Sequence, residues 1–290
     1  MPQIEVALAA GAVLGECPRW HTEQARLYWV DIARNELHRF DPATGRDEQR
    51  RFAAPVGCFA FARTGGLVLG MKDGLARLAD WDAEPEPFGE QVLAGDADLR
   101  MNDGRTDARG RFWVGSVNTA KSATNAALYR FDADGTGTLI RNGMTTCNGA
   151  AFSADGLLFH HADTPSHSLR AYRADPATGT LHDERILHQF PLGQGRPDGG
   201  SFDEEGCYWS ALFDGGRVVR LAPSGEIVES VALPTPRPTM IAFGGADRRT
   251  AYITTARSGL GDDALAAAPL SGAILSFRVS VPGVAEWPFG

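Results

Sequence analysis

Apolar and polar residues alternate in short runs along most of this chain, and the runs end at closely spaced turn signals. The stretches LHRFDPATG (37–45), LYRFDADG (128–135), LRAYRADPATG (169–179) and VVRLAPSG (218–225) share that design. Each predicts a half-buried strand closed by a hairpin turn, because Asp, Pro and Gly supply the backbone angles a tight reversal needs. Helical spacing is nearly absent. Residues 262–270 (DDALAAAPL) predict one short helix, ended by Pro269.

The strands recur in a larger unit. NDGRTDARGRFWVGS (102–116), NGAAFSADGLLFHHA (148–162) and DGGSFDEEGCYWSAL (198–212) each run from a polar residue through small residues and a turn into an aromatic-rich strand. Looser copies begin at Glu16, Gly57 and Thr239. The second strands centre on Trp29, Val68, Trp113, Phe159, Trp209 and Tyr252, about 45 residues apart on average, a period typical of propellers and solenoids. Six antiparallel units of about four strands predict an all-β fold, a six-bladed β-propeller with a central channel, as one domain over residues 1–290. The rival is a β-sandwich or a pair of smaller β domains. Ring closure predicts that QIEVALA (3–9) pairs with AILSFRVS (273–280), which protects otherwise open edges.

Composition narrows the partners. The formal net charge of −8 argues against nucleic acid or an acidic membrane surface. Four widely spaced cysteines fit neither a zinc knuckle nor a secreted disulfide scaffold, so they are expected to be reduced and packed. Glu5 precedes the short apolar stretch 6–15 and no Lys or Arg lies ahead of it, so no secretory signal is expected. A cytoplasmic monomer is the expectation.

Aligning the six copies places Glu16, Asn102, Asn148 and Asp198 at equivalent positions, with Gly57-Cys58 and Thr239-Met240 in the other two. First strands of propeller blades line the channel, so these positions form a ring at one mouth. Taken singly, each residue reads as a turn former. Four oxygen ligands converging on one channel read instead as a cation site, since buried facing carboxylates repel. The ligand chemistry suits one divalent metal ion: Ca²⁺, Mg²⁺ or Mn²⁺, with Zn²⁺ or Fe²⁺ also possible. Within residues 198–205, Asp203, Glu204 and Glu205 are expected to be solvated turn acids, distinct from Asp198.

The motifs LGECPRW (14–20), RMNDG (100–104), CNG (147–149), PDG (197–199) and FGGADRRTAYITTAR (243–257), in this order, resemble the gluconolactonase family, which includes regucalcin (senescence marker protein), and its bacterial sugar-lactonase branch. The resemblance implies a six-bladed propeller with a divalent metal held by Glu16, Asn148 and Asp198. It implies that Arg100 and Asn102 contact substrate and that Asp198 is the general base. The implied reaction is metal-dependent hydrolysis of a small-molecule sugar lactone, such as glucono-, galactono-, arabino- or xylonolactone, to the aldonic acid. Two departures stand out: Met101 replaces a common proline, and residues 117–121 (VNTAK) lack the family's frequent acid, with Asn118 a partial substitute for substrate contact.

Covalent catalysis is disfavoured, because no G-x-S-x-G elbow occurs and no cysteine has an evident histidine partner. Cys17 and Cys147 are expected only to pack. His160 and His161 fall on opposite faces of one strand and are expected to be packed or solvent-facing. DADGTG (132–137) echoes a calcium loop but lacks its terminal Glu and sits at a hairpin turn. The competing functions are a calcium-binding or interaction propeller without catalysis, and a phosphotriesterase or acyl-lactonase on the same scaffold.

Overall fold

The structure, a computed structural model, describes residues 2–290. Six four-stranded antiparallel sheets form a six-bladed propeller. The six inner strands are Gly15–His21, Cys58–Phe61, Leu99–Thr106, Cys147–Phe152, Arg196–Phe202 and Pro238–Gly244, here numbered as blades 1 to 6. Each inner strand packs against those of both neighbouring blades, and blade 6 returns to blade 1, so the ring closes. Glu5–Leu8 pairs antiparallel with Ile274–Arg278 and supplies the outermost strand of blade 6. This is the closure the sequence predicts.

The second strands carry the seams between blades. Trp113 meets Phe152 and Phe159 of blade 4 at centroid distances of 5.5 and 5.4 Å. Trp209 reaches Phe243 of blade 6 at 6.1 Å, and Trp20 of blade 1 stacks on Tyr252 of blade 6 at 5.8 Å. Such pairs contribute about 0.5–1.5 kcal/mol each beyond the area they bury. The outermost strands, such as Arg46–Arg51 and Thr180–Gln189, are polar and largely exposed, which discourages pairing with other chains.

The helix is short, Asp262–Ala267, and two 3-10 turns (Ile32–Arg34 and Thr164–Ser166) join second to third strands. Among the described residues no helix is long and apolar enough to cross a membrane. All four cysteines are buried and free.

One expectation is corrected. Asp203 is not a solvated turn acid: it is fully buried, accepts the Trp209 indole N–H at 3.0 Å and the Cys207 amide at 3.0 Å, and pairs with Arg220 Nε at 2.7 Å. Asp107 does the same for Trp113 (2.9 Å) and Arg111 (2.6 Å) in blade 3. An acid six residues before a tryptophan ties the turn to the aromatic seam.

His160 and His161 are both buried. His160 lies against Phe202 and Tyr208 of blade 5, at 4.6 and 5.0 Å. Burial lowers each pKa from 6.5 to about 3. Both stay neutral in the fold while the unfolded chain gains protons below 6.5, so their contribution to stability is whole above that pH and is lost as pH falls toward 3. Replacing His160 by Phe should therefore shrink the loss of unfolding free energy between pH 7 and pH 5 by roughly 2 kcal/mol, at about 1.4 kcal/mol per pKa unit. Urea titrations at both pH values measure it; an unchanged loss would contradict a neutral His160.

Candidate metal centre and active site

The inner strands are not regular ladders. In blade 1 the register runs from Glu16–Val30 to Arg19–Tyr28, three steps on the inner strand against two on its partner. The same three-against-two slip occurs from Met101 to Gly104, from Asn148 to Ala151 and from Pro197 to Gly200. These are β-bulges, which break the two-residue alternation and re-aim side chains. Blade 2 pairs without interruption, and its inner strand carries no ligand candidate.

The register corrects the simple equivalence of the four candidates. Glu16 and Asn148 occupy the last paired position before their bulges, whereas Asn102 and Asp198 are the first unpaired residues within theirs. The offset is one residue. Blades 1 and 4 compensate with a left-handed residue directly after the ligand candidate: Cys17 at φ 47° and Gly149 at φ 66°. Gly149 has a packing reason as well, because a Cβ there would lie 2.6 Å from the Tyr208 hydroxyl.

The bulges bring the side chains together. Asn102 Nδ2 donates to Asn148 Oδ1 at 2.7 Å and to the Cys147 carbonyl at 2.9 Å. Asn148 Nδ2 donates to Thr164 Oγ1 at 2.8 Å, and that hydroxyl donates to the Pro197 carbonyl at 2.8 Å, one residue before Asp198. Arg100 Nη1 donates to Asn102 Oδ1 at 2.8 Å. One chain of hydrogen bonds thus runs across blades 3, 4 and 5.

The carboxylates are less well served. Asp198 is 5% exposed and its Oδ1 has no hydrogen-bond partner. Burial, then the charge of Asp103, raise its pKa well above the usual carboxylate range, against Lys121 and Arg196, which lower it. Glu16 is raised likewise, by burial and then by the charges of Asp198 and Asp103. Burial brings the Arg100 guanidinium down to about 10, with Glu16 opposing. Among the described residues no three of His, Cys, Asp and Glu gather as a metal cluster. The donor set is two acids and two amides, all oxygen, and includes an orphaned carboxylate oxygen; that chemistry fits a hard divalent cation.

The cysteines beside the ligand candidates are inert. Burial pushes the Cys17 thiol up to about 11, and Cys147 higher still. Neither suits a nucleophile.

The profile of the SMP-30/gluconolactonase/LRE-like region matches residues 14–257. The chain belongs to that family. It is 42% identical over 279 residues to the 6-deoxy-6-sulfogluconolactonase of Pseudomonas putida, covering 95% of this chain and 94% of that protein. It is 32% identical over 281 residues to a pentonolactonase of Haloferax volcanii, covering 94% of each. The crystal structure of regucalcin from Agrobacterium tumefaciens, described as a calcium-binding protein, superposes with a TM-score of 0.93 at 24% identity, covering 99% of this chain and 97% of that one; that likeness shows the fold.

Four of the five motifs noted in the sequence, at Glu16, Asn102, Asn148 and Asp198, fall on the bulges. Asn118 shares no hydrogen bond with Glu16, Asn102, Asn148 or Asp198. It is buried, its Nδ2 donates to Asn125 Oδ1 at 2.9 Å and its Oδ1 accepts the Ser122 amide at 3.1 Å, so it braces the loop that carries Lys121. The sequence reading missed Asp103, a 5% exposed carboxylate whose Oδ2 accepts the Ala150 amide at 3.0 Å. In sequence Asn102-Asp103-Gly104 resembles a surface turn; in the fold it lies in the buried inner strand Leu99–Thr106.

Thr164 is the joint of the hydrogen-bond chain. Thr164→Val leaves the Asn148 amide and the Pro197 carbonyl unpaired in a buried place and should destabilise the protein by about 1–3 kcal/mol. Thr164→Ser should restore most of it. Equal stability of the Val variant and the parent in chemical denaturation would contradict the role of this hydroxyl.

Proposed function

We propose that the chain hydrolyses a sugar lactone to its aldonic acid, with one divalent cation held by Glu16, Asn148 and Asp198. The observation that carries this reading is the buried, unpartnered Asp198 carboxylate beside Glu16, in a chain whose relatives are named lactonases. When bound, the cation supplies positive charge that neutralises the two acids and polarises a carbonyl oxygen. Asp198 takes the proton from the attacking water. Asn102 is held by Arg100 and Asn148, so its orientation is set before substrate arrives. Arg100 spends Nη1 on that task and keeps the remaining donors of its guanidinium for lactone hydroxyls. The ring alkoxide that leaves is protonated from solvent at the open mouth.

Two cations, Lys121 and Arg196, act on Asp198. Arg196 is paired with Asp214, whereas Lys121 makes no ion pair among the described residues. Together with the missing acid at residues 117–121, this supports a lactone whose far end carries an anionic substituent, the chemistry named for the Pseudomonas putida relative.

A panel of neutral and anionic aldonolactones, an aryl ester and a phosphotriester tests the reading. Lactone turnover should disappear with chelator, return with Ca²⁺, Mn²⁺ or Zn²⁺, and fall at least about a hundredfold in Asp198→Asn, the usual scale for loss of a general base. Lys121→Ala should raise KM for the anionic lactone and leave the neutral one unchanged. Turnover of the phosphotriester alone, or unimpaired lactone turnover in Asp198→Asn, would refute the assignment.

A further inference from the structure

Each bulge frees backbone carbonyls from the ladder, and such groups need partners when buried. Two channel arginines collect them. Arg19 Nη2 donates to the Gly104 carbonyl of blade 3. Arg105 Nη2 donates to the Gly200 carbonyl at 2.8 Å and to Ser201 Oγ at 2.9 Å in blade 5, and its Nε donates to the Ala150 carbonyl at 3.2 Å in blade 4. The three carbonyls lie in or at the end of the bulges that place Asn102, Asn148 and Asp198. Both arginines are buried, 2% and 8% exposed. Two buried guanidiniums in one channel repel.

Asp103 Oδ1 lies 4.0 Å from Arg19 Nη2, and the carboxylate that is hydrogen-bonded to both arginines comes from outside the blades. Glu286 Oε1 accepts Arg19 Nη1 at 3.2 Å and also Arg105 Nη1. Glu286 belongs to the C-terminal tail, which crosses the mouth opposite Asp198. The Gly283 amide donates to the Arg248 carbonyl at 2.9 Å, the Val284 amide to Phe202 at 3.0 Å, the Phe289 amide to Phe61 at 2.8 Å and the Gly290 amide to Gly110 at 2.9 Å. The tail therefore ties blades 6, 5, 2 and 3 at the far mouth, and Phe289 is 2% exposed at its end.

We propose that Glu286 is a positioning residue for the active site: the tail closes the far mouth and delivers one carboxylate that holds Arg19 and Arg105, which in turn hold the bulges. It does not touch the reacting atoms. Its effect passes through backbone carbonyls, so it is felt in the placement of Asn102, Asn148 and Asp198 more than in their chemistry. The kinetic part of the test rests on the lactonase reading; the structural part does not.

The variants are Glu286→Gln, which removes the charge, and Glu286→Asp, which keeps it on a shorter stem and preserves the test if the Gln variant folds poorly. Hydrogen exchange should rise at least about tenfold in residues 101–104, 148–151 and 197–201 of Glu286→Gln, while residues 58–70 of blade 2 keep the parental rate. For the lactone, kcat should fall about tenfold or more with KM within about twofold, as expected for misplaced catalytic groups, and Glu286→Asp should recover most of kcat. Parental exchange in the bulges would overturn the proposal, as would an equal rise in every blade, which marks general loosening. If the parent opens no lactone, the proposed function fails while the exchange comparison still decides the role of Glu286.

Discussion

A buried carboxylate oxygen without a hydrogen-bond partner is the constraint around which this propeller is organised. Asp198 is 5% exposed with an unpartnered oxygen, Asp103 is 5% exposed with another, and Glu16 stands within reach of both charges. A buried ion without a partner is among the most unfavourable features a fold can carry. It persists only if the scaffold around it cannot relax. The closed ring, the N-terminal strand added to blade 6 and the aromatic seams between blades provide that stiffness. An open sheet would rotate the acids apart or admit water between them.

The channel charges are nearly balanced before any ligand is added. Glu16, Asp103, Asp198 and Glu286 stand against Arg19, Arg100 and Arg105, four acids to three bases. Arg19 and Arg105 bind backbone carbonyls and Glu286 of the tail, Asp103 lies 4.0 Å from Arg19, and Asp198 keeps a carboxylate oxygen without a hydrogen-bond partner. A divalent cation would turn the net charge of this set to plus one, suited to the carboxylate that lactone opening produces. Under the proposed function, stability and activity are in tension at Asp198, as is common where a site holds groups in unfavourable surroundings.

Most of the architecture was legible in the chain. The six second strands fall where their tryptophans, phenylalanines and hairpin turns indicate, because period-two alternation and turn chemistry are local signals. Closure by the N-terminal strand followed from the absence of any other use for it. The four candidate positions share a level in the repeat, but their register was not legible: a bulge inserts one residue without changing the apparent pattern, so Asn102 and Asp198 slipped by one against Glu16 and Asn148. Acids such as Asp203 and Asp103 look like turn residues in sequence and are buried because partners on neighbouring strands, Trp209 and Arg220 for the first and Ala150 of the next blade for the second, meet them in the fold. Arg19, Arg105 and Glu286 escaped for the same reason, since Glu286 lies 181 residues from Arg105 along the chain.

The carboxylate ring as a cation site is tested most directly by thermal unfolding of the parent and of Asp198→Asn, each with chelator and with excess Ca²⁺ or Mn²⁺. Removing a buried charge should raise Tm of the metal-free variant above the metal-free parent. The cation should raise Tm of the parent, by mass action on the folded state, and leave the variant nearly unmoved. A parent indifferent to every divalent cation, or a variant that is less stable without metal and still responds to it, would contradict the site.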